Sequence, residues 1–197
     1  MTTVALPQQQ QQRSYPIAWW GMVVTIATES TIFALLLSAN FFVMAQSKHW
    51  PPAGIEEPKL GLALVFSAVL WASSLPVVVA EHAIERGRIT QFKVLTALAF
   101  VMGAAFVAYS FYDFHELHFG WRDNTYASLH YTIIGLHLAH VCVALVMSGV
   151  IQAKAWFGRY DTGRRVSVSV FSLYWHFVDV VWLFVFPAMF LAPRWVR

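Results

Sequence analysis

The chain contains, at residues 128–153, the stretch SLHYTIIGLHLAHVCVALVMSGVIQA, which has no Asp, Glu, Lys or Arg. The hydrocarbon core of a bilayer is about 30 Å thick, so a helix that crosses it needs about 20 mostly apolar residues. The stretch exceeds that length. It therefore predicts a helix that spans a membrane.

Four further stretches have a similar length and character, at residues 20–45, 60–80, 92–112 and 168–191. The segments that join them are short and contain Gly, Pro and charged residues, which are typical of turns. Across the chain 58% of residues are hydrophobic and 12% are charged, whereas soluble proteins average about 25% charged. The sequence predicts an all-α integral membrane bundle of five transmembrane helices.

Residues 1–18 have a different composition, being polar and rich in Gln. We predict that they form a disordered N-terminal tail and that residues 19–197 form a single transmembrane helical domain. The apolar run after the tail is longer than the core of a signal peptide, which has about 7 to 15 residues. We expect this run to remain as a membrane span.

Basic residues are distributed unequally between the two ends of the predicted helices. Lys and Arg are retained preferentially on the cytoplasmic side of a membrane. The end that carries the N-terminal tail has Arg13, Arg86, Arg88, Lys93, Lys154, Arg159, Arg164 and Arg165. The opposite end has Lys48, Lys59, Arg122, Arg194 and Arg197. This bias predicts a cytoplasmic N-terminus and an external C-terminus.

Composition also argues against two classes of function. The basic residues form no stripe and no patch interleaved with aromatic residues, so we predict no binding to nucleic acid. The only cysteine, Cys142, lies inside an apolar run. A single cysteine allows no internal disulfide and no cysteine-based zinc or iron-sulfur site.

Glu29 is an ionisable residue within the first predicted helix. Such a side chain is costly at membrane depth and usually marks a partner or a function. Helical spacing places it on one face with Thr25, Phe33, Leu36 and Asn40. We expect this face to point away from the lipid tails.

Two further pairs of polar residues lie within predicted spans. His137 and His140 are three residues apart, as are His176 and Asp179, so each pair projects from one side of its helix. Gly135, beside the first pair, predicts a close approach between helices.

Glu29, His140, His176 and Asp179 fall at similar depths when about 1.5 Å per residue is counted from the inner helix ends. We predict an intramembrane polar cluster in which a histidine on one helix offsets a carboxylate on another. Glu29 either joins this cluster or faces a cleft filled by lipid or water. Such pairs more often hold helices together than form a reaction centre, and we predict no catalytic residue.

The outer end of the third predicted span has a second group of polar residues, Asp113, His115, Glu116 and His118. They match metal ligands in residue type. Hydration at the membrane surface explains them without a ligand, and we predict no metal site.

Residues 174–184, YWHFVDVVWLF, resemble the signature of subunit III of cytochrome c oxidases. Other parts of that family's pattern follow in the same order, namely Glu29 in a Phe-rich helix, residues 50–55, residues 80–87, Tyr112 with Asp113 and Glu116, and residues 135–141. The resemblance covers nearly the whole chain after residue 16. The five-helix plan resembles the short bacterial form of the family.

The resemblance implies a subunit of a proton-pumping terminal oxidase in the cell inner (plasma) membrane, which transfers electrons from cytochrome c to oxygen. Subunit III of this family binds no redox cofactor, and the haems and copper lie in partner subunits. It packs beside the catalytic subunit I, with subunit II as a further partner. It holds structural phospholipids and supports proton uptake.

Lys154 occupies a position where the family often has a basic residue that can meet a lipid phosphate. With Glu29, His137, His140, His176 and Asp179, it completes our predicted set of lipid-binding and structural polar residues. The long form of the family has two additional helices that make one wall of a lipid cleft. Since this chain lacks them, the resemblance does not imply a complete cleft here.

Two alternatives remain at this point. One is the related subunit of a quinol oxidase or nitric oxide reductase, because the short form occurs there too. The other is a haem-binding membrane anchor. Such anchors often place histidines thirteen or fourteen residues apart on one helix, and His130, His137 and His140 lack that spacing.

Overall fold

The computed structural model describes residues 16–52, 55, 59–158 and 166–195. All of the predicted tail except residues 16–18 lies outside the described residues, as do the basic residues Arg159, Arg164 and Arg165. Within the described residues the secondary structure is helical, with no strand. Its α-helices are α1 (Ile17–Gln46), α2 (Leu60–Ala72), α3 (Ser74–Glu85), α4 (Ile89–Glu116), α5 (Thr125–Trp156), α6 (Val166–Phe186) and α7 (Ala192–Trp195).

Five helical spans are long and apolar enough to cross a membrane, which confirms the predicted all-α membrane bundle. Helices α1, α4 and α5 are single spans, while α2 with α3 and α6 with α7 form the other two. The spans have 26 to 32 residues. They extend past the stretches predicted from hydrophobicity because a helix continues into the polar surface region of a bilayer, which is about 40–45 Å thick with its headgroups.

Two spans are interrupted near a proline. The helix breaks at Ser73, between α2 and α3, three residues before Pro76. Proline has no backbone N–H, and its ring clashes with the carbonyl four residues earlier, which here belongs to Ala72. In the fifth span, residues Pro187–Leu191 form a π-helical turn between α6 and α7.

Helix α6 lies at the centre of the bundle, where it contacts α1, α2, α3 and α5. Helix α4 packs against α2, α3 and α5. Most of the span that contains α6 is buried, whereas α1 has only three buried residues, Phe33, Asn40 and Met44. The side chains of α6 are therefore placed to join the other helices.

The close approach between helices occurs at Gly103, on α4. A Cβ atom there would lie 3.0 Å from Cη2 of Trp175 and 3.1 Å from Cδ2 of Leu145. Gly135 has no such neighbour within 4 Å. The prediction that Gly135 mediates a close approach is therefore wrong for the described residues, because the space beside its Cβ position is open.

Candidate functional site

Glu29 and His140 join α1 to α5. Their side chains approach within 3.1 Å, from Oε2 of the glutamate to Nε2 of the imidazole. The side chain of Glu29 is 30% exposed and that of His140 is 11% exposed. The first intramembrane carboxyl is therefore paired with a histidine and still reaches the surface of the bundle.

The other ring nitrogen of His140 determines how many protons this pair holds. Nδ1 lies 2.7 Å from the carbonyl oxygen of Leu136. A carbonyl oxygen only accepts hydrogen bonds, so Nδ1 carries a hydrogen. The contact between Nε2 and Glu29 then requires one more proton, on the imidazole or on the carboxyl. In either form the pair has no net charge, which suits a low-dielectric environment.

The face of α1 that carries Glu29 points inward, as predicted from its spacing. Phe33 and Asn40 are buried, at 3% and 1% exposure, and Leu36 packs against the core. Thr25 is exposed, and its hydroxyl donates to the carbonyl of Gly21 in its own helix. The inward face thus runs from Glu29 towards the C-terminal end of α1.

His137 lies one turn from His140 and has a different environment. Its ring stacks on Trp182 with centroids 4.5 Å apart, and the rings of Phe33 and Phe106 lie edge-to-face with it, at centroid distances of 6.3 and 6.0 Å. Neither of its ring nitrogens has a hydrogen-bond partner in the described part of the chain. His137 therefore takes part in aromatic packing and contacts no carboxylate.

His176 and Asp179 belong to a second group, between α6 and α3. The hydroxyl of Ser74 lies 3.0 Å from Nδ1 of His176 and also donates to Oδ2 of Asp179. Asp179 is 6% exposed, and its Oδ1 has no hydrogen-bond partner among the residues that the structure describes. One serine hydroxyl thus connects the imidazole and the carboxyl of α6.

The polar residues predicted as one cluster form two groups in the structure, on different faces of α6. Tyr174 and Phe177 face His140, with ring centroids 6.5 and 6.4 Å away. His176 and Asp179 each follow one of these aromatic residues by two positions, which is about 200° around a helix. They consequently face α3 instead of the Glu29 pair.

Three serines that the sequence analysis overlooked hold α6 in place. Ser67 accepts a hydrogen bond from Nε1 of Trp182, and Ser73 accepts one from Nε1 of Trp175, both at 2.9 Å. Ser74 is the third. Their position within an otherwise apolar span is the signal that could have identified them, since serine is enriched at helix contacts in membranes.

Lys154 lies apart from both polar groups. It is exposed near the end of α5, at the rim of a groove of about 280 Å³. The groove is lined by Ala18, Val146, Met147, Val150, Ile151, Val166, Ser167 and Val170. Among the described residues, a single cation thus borders a mostly apolar depression at the end of the bundle where α1 begins.

The polar residues at the outer end of α4 are less enclosed. Tyr109 donates to Asp113 at 3.3 Å, and His115, Glu116 and His118 are exposed. Over the described part of the chain, no three His, Cys, Asp or Glu residues are grouped so that they could hold a metal ion.

Comparison with known proteins identifies the family to which this helical bundle belongs. The protein-family model for cytochrome c oxidase subunit III matches residues 15–194. The chain belongs to the cytochrome c oxidase subunit III family. The resemblance found in the sequence is thereby confirmed, and this subunit III of a haem-copper oxidase is a multi-pass membrane protein.

Individual relatives of this subunit III come from both kinds of oxidase. It is 31% identical to cytochrome c oxidase subunit 3 of Synechocystis sp., over 87% of this chain and 74% of the relative. It is 29% identical to that of Thermostichus vulcanus, over 88% and 87%. It is also 28% identical to cytochrome bo(3) ubiquinol oxidase subunit 3 of Pseudomonas aeruginosa, over 87% and 83%.

The signature stretch of this subunit III provides most of the polar contacts of α6. Within residues 174–184, the side chains of Trp175, His176, Asp179 and Trp182 each form a hydrogen bond to α2, to α3 or to Ser73 between them. The stretch that carries the resemblance is therefore also the stretch that fixes the centre of the bundle.

Proposed function

We propose that this chain is the non-redox subunit III of a proton-pumping terminal oxidase in the cell inner membrane. In this role residues 19–197 act as one transmembrane domain that stabilises the catalytic subunit, retains structural phospholipids and supports proton uptake. The haems and copper belong to partner subunits I and II. The observation that carries the proposal is the family match over residues 15–194.

The contacts of the intramembrane polar residues support a structural role. Glu29 pairs with His140, and Asp179 bonds to Ser74. Each contact joins two helices, and the partner in each case is a side chain of this chain. Groups that satisfy one another between helices stabilise a bundle. We therefore assign these residues to holding the bundle together and no step of oxygen reduction.

An orientation with the N-terminus in the cytoplasm agrees with the contacts at one end of the bundle. Nζ of Lys93, near the start of α4, lies 4.9 Å from the centroid of the Trp156 ring at the end of α5. Tryptophan favours the membrane surface and lysine favours the cytoplasmic side. We place this end, where α1 also begins, at the cytoplasmic surface.

A phospholipid is the ligand that suits the groove beside Lys154. The apolar lining matches an acyl chain, and the ammonium at the rim matches a phosphate. Lysine provides a point charge where arginine would provide two parallel donors, so it holds the phosphate with less directional specificity. We propose that a structural phospholipid lies here with its headgroup at the cytoplasmic surface.

Turnover of the purified complex tests the proposed role. We expect oxidase prepared without this chain to begin with oxygen consumption close to that of the complete complex. It should then lose activity after fewer turnovers and contain less phospholipid. Loss of the haem signals on removal of this chain would contradict the assignment of the cofactors to partner subunits. Equal durability with and without the chain would contradict the stabilising role.

The electron donor is proposed to be cytochrome c, and a quinol is the second candidate. The Pseudomonas aeruginosa relative, a subunit of a ubiquinol oxidase, supports the second candidate, since its 28% identity is close to the 29% of a cytochrome c oxidase relative. Oxygen consumption by the complex purified through this chain, with either reduced cytochrome c or ubiquinol supplied, separates the two.

A further inference from the structure

The geometry points to a proton-binding relay at the junction of α3 and α6, in which the Ser74 hydroxyl passes a proton between His176 and Asp179. The serine oxygen lies 3.0 Å from Nδ1 of the imidazole and is hydrogen-bonded to Oδ2 of the carboxyl. This assignment goes beyond the proposed function. It depends on neither the electron donor nor the bound lipid.

The number of hydrogens fixes how the relay works. A serine hydroxyl has one hydrogen and can accept others. When Asp179 is charged, the hydroxyl donates to Oδ2, and His176 donates its Nδ1 hydrogen to the serine oxygen. The imidazole is then neutral, with an unprotonated Nε2.

Binding of one proton from water reverses the direction of both hydrogen bonds. The proton adds to Nε2 of His176 while the Nδ1 hydrogen moves to the serine oxygen and the serine hydrogen moves to Oδ2. The imidazole ends neutral in its other tautomer, the hydroxyl ends intact, and the carboxyl gains one proton. The net charge of the group rises by one.

Burial makes Asp179 the inner end of the relay and His176 its entrance. The carboxyl is 6% exposed and one of its oxygens has no partner, whereas His176 is half-buried. A buried carboxylate without a cation is costly, so a proton on this group relieves an unfavourable charge. A second carboxyl group, that of Glu81 on α3, interacts electrostatically with His176.

Three further ionisable groups lie near α6: His137, whose ring stacks on Trp182, and the pair Glu29 and His140 on the face opposite His176 and Asp179. Glu29 and His140 contact each other there and border Tyr174. They are connected to the Ser74 group by no hydrogen bond among the described residues. Protons can therefore bind to the two groups separately.

Infrared difference spectroscopy of the full-length chain, purified in its complex and reconstituted in phospholipid bilayers, tests the relay. The pH is varied in H2O and in D2O. We expect acidification to produce a carbonyl stretch of a protonated carboxylic acid that is absent in Asp179→Asn and moves to lower frequency in D2O. In the same pH step, the ring vibration of His176 should change from one neutral tautomer to the other.

Serine variants keep the carboxyl and so test the relay even if Asp179→Asn fails to fold. Ser74→Ala should move the carbonyl stretch to higher frequency, since it removes a hydrogen bond from the acid, and Ser74→Thr should restore it. Ser73→Ala is the matched control. It removes the neighbouring buried hydroxyl, which accepts from Trp175, and should leave the stretch in place.

Three results would overturn the relay. One is a carboxyl that shows no protonated form at any pH at which the complex stays intact. Another is a carbonyl stretch that is the same in Ser74→Ala and in the parent. The third is acidification that leaves His176 as an imidazolium, because the proton would then have stayed on the ring.

Discussion

Nε2 of His140 lies 3.1 Å from Oε2 of Glu29, while Nδ1 of the same ring is hydrogen-bonded to the carbonyl of Leu136. The imidazole is thus held by its own helix at one nitrogen and holds α1 with the other. Its other attachments are mostly apolar, since Phe33, Leu36 and Leu37 of α1 pack in or against the core. The pair is therefore a main polar attachment of α1 to the rest of the bundle.

Replacing Glu29 by Ala should leave the complex assembled but reduce phospholipid retention and the number of turnovers before inactivation. The variant removes the partner of His140 and loosens α1. A hydrogen bond to a charged group contributes about 1.5–3 kcal/mol, which is too little to unfold a five-span bundle. Phosphorus content and the time course of oxygen consumption measure the two effects. Parental lipid content with parental inactivation kinetics would refute this prediction.

Asp179→Leu should weaken the bundle or its association with the catalytic subunit. Ser74 loses its acceptor, and His176 loses the group connected to it through the hydroxyl. Leaving a buried polar group unsatisfied costs about 1–3 kcal/mol. Thermal melting and co-purification measure the effect. If the variant complex co-purifies in full and melts like the parent, Asp179 does not hold these helices together.

Ser67→Ala isolates one indole hydrogen bond. Without the serine oxygen, Nε1 of Trp182 is buried and unpartnered, which should lower stability by about 1–3 kcal/mol. Ser38→Ala is the control, because Ser38 is exposed on α1 and its hydroxyl donates to the carbonyl of Ala34 in its own helix. Thermal melting should separate the two variants. Equal melting temperatures would show that the indole contact adds no stability.

The number and type of the helices could be predicted because lipid imposes a length and a composition on every span. The inward face of Glu29 could be predicted too, because helical spacing groups side chains by direction. Spacing does not reveal which helix lies opposite. Counting residues along each helix places His140 and His176 at similar depths, at the level of the carboxyl groups. Only the fold shows that His140 contacts α1 and that His176 contacts α3.

The serine contacts could not be predicted for a different physical reason. A serine in a membrane helix can satisfy its hydroxyl within its own helix, and both Ser38 and Ser67 donate to a carbonyl four residues earlier. Only Ser67 also accepts from a tryptophan. The difference between an exposed serine and one that joins helices depends on the neighbour, and the sequence near each serine does not identify it.

Glycine shows the same limit and provides a matched pair of variants. Gly103→Ala should destabilise the bundle, because its Cβ would lie 3.0 Å from Trp175 and 3.1 Å from Leu145. Overpacking of this kind costs about 1–3 kcal/mol. Gly135→Ala meets open space, and alanine favours a helix over glycine by up to about 1 kcal/mol. Melting temperatures should fall for the first variant and hold or rise for the second; the reverse order would contradict the packing at Gly103.

Lys154→Gln should lower the amount of tightly bound phospholipid, because Lys154 is the only cation among the described residues that line the apolar groove at the end of α5. Lys154→Arg should preserve or raise it, since a guanidinium can donate two parallel hydrogen bonds to a phosphate. Lipid extraction and mass spectrometry of the purified complex measure the difference. Lys48→Gln, which neutralises an exposed lysine at the opposite end of the bundle, serves as control. If Lys154→Gln and Lys48→Gln retain equal lipid, the phosphate is held elsewhere.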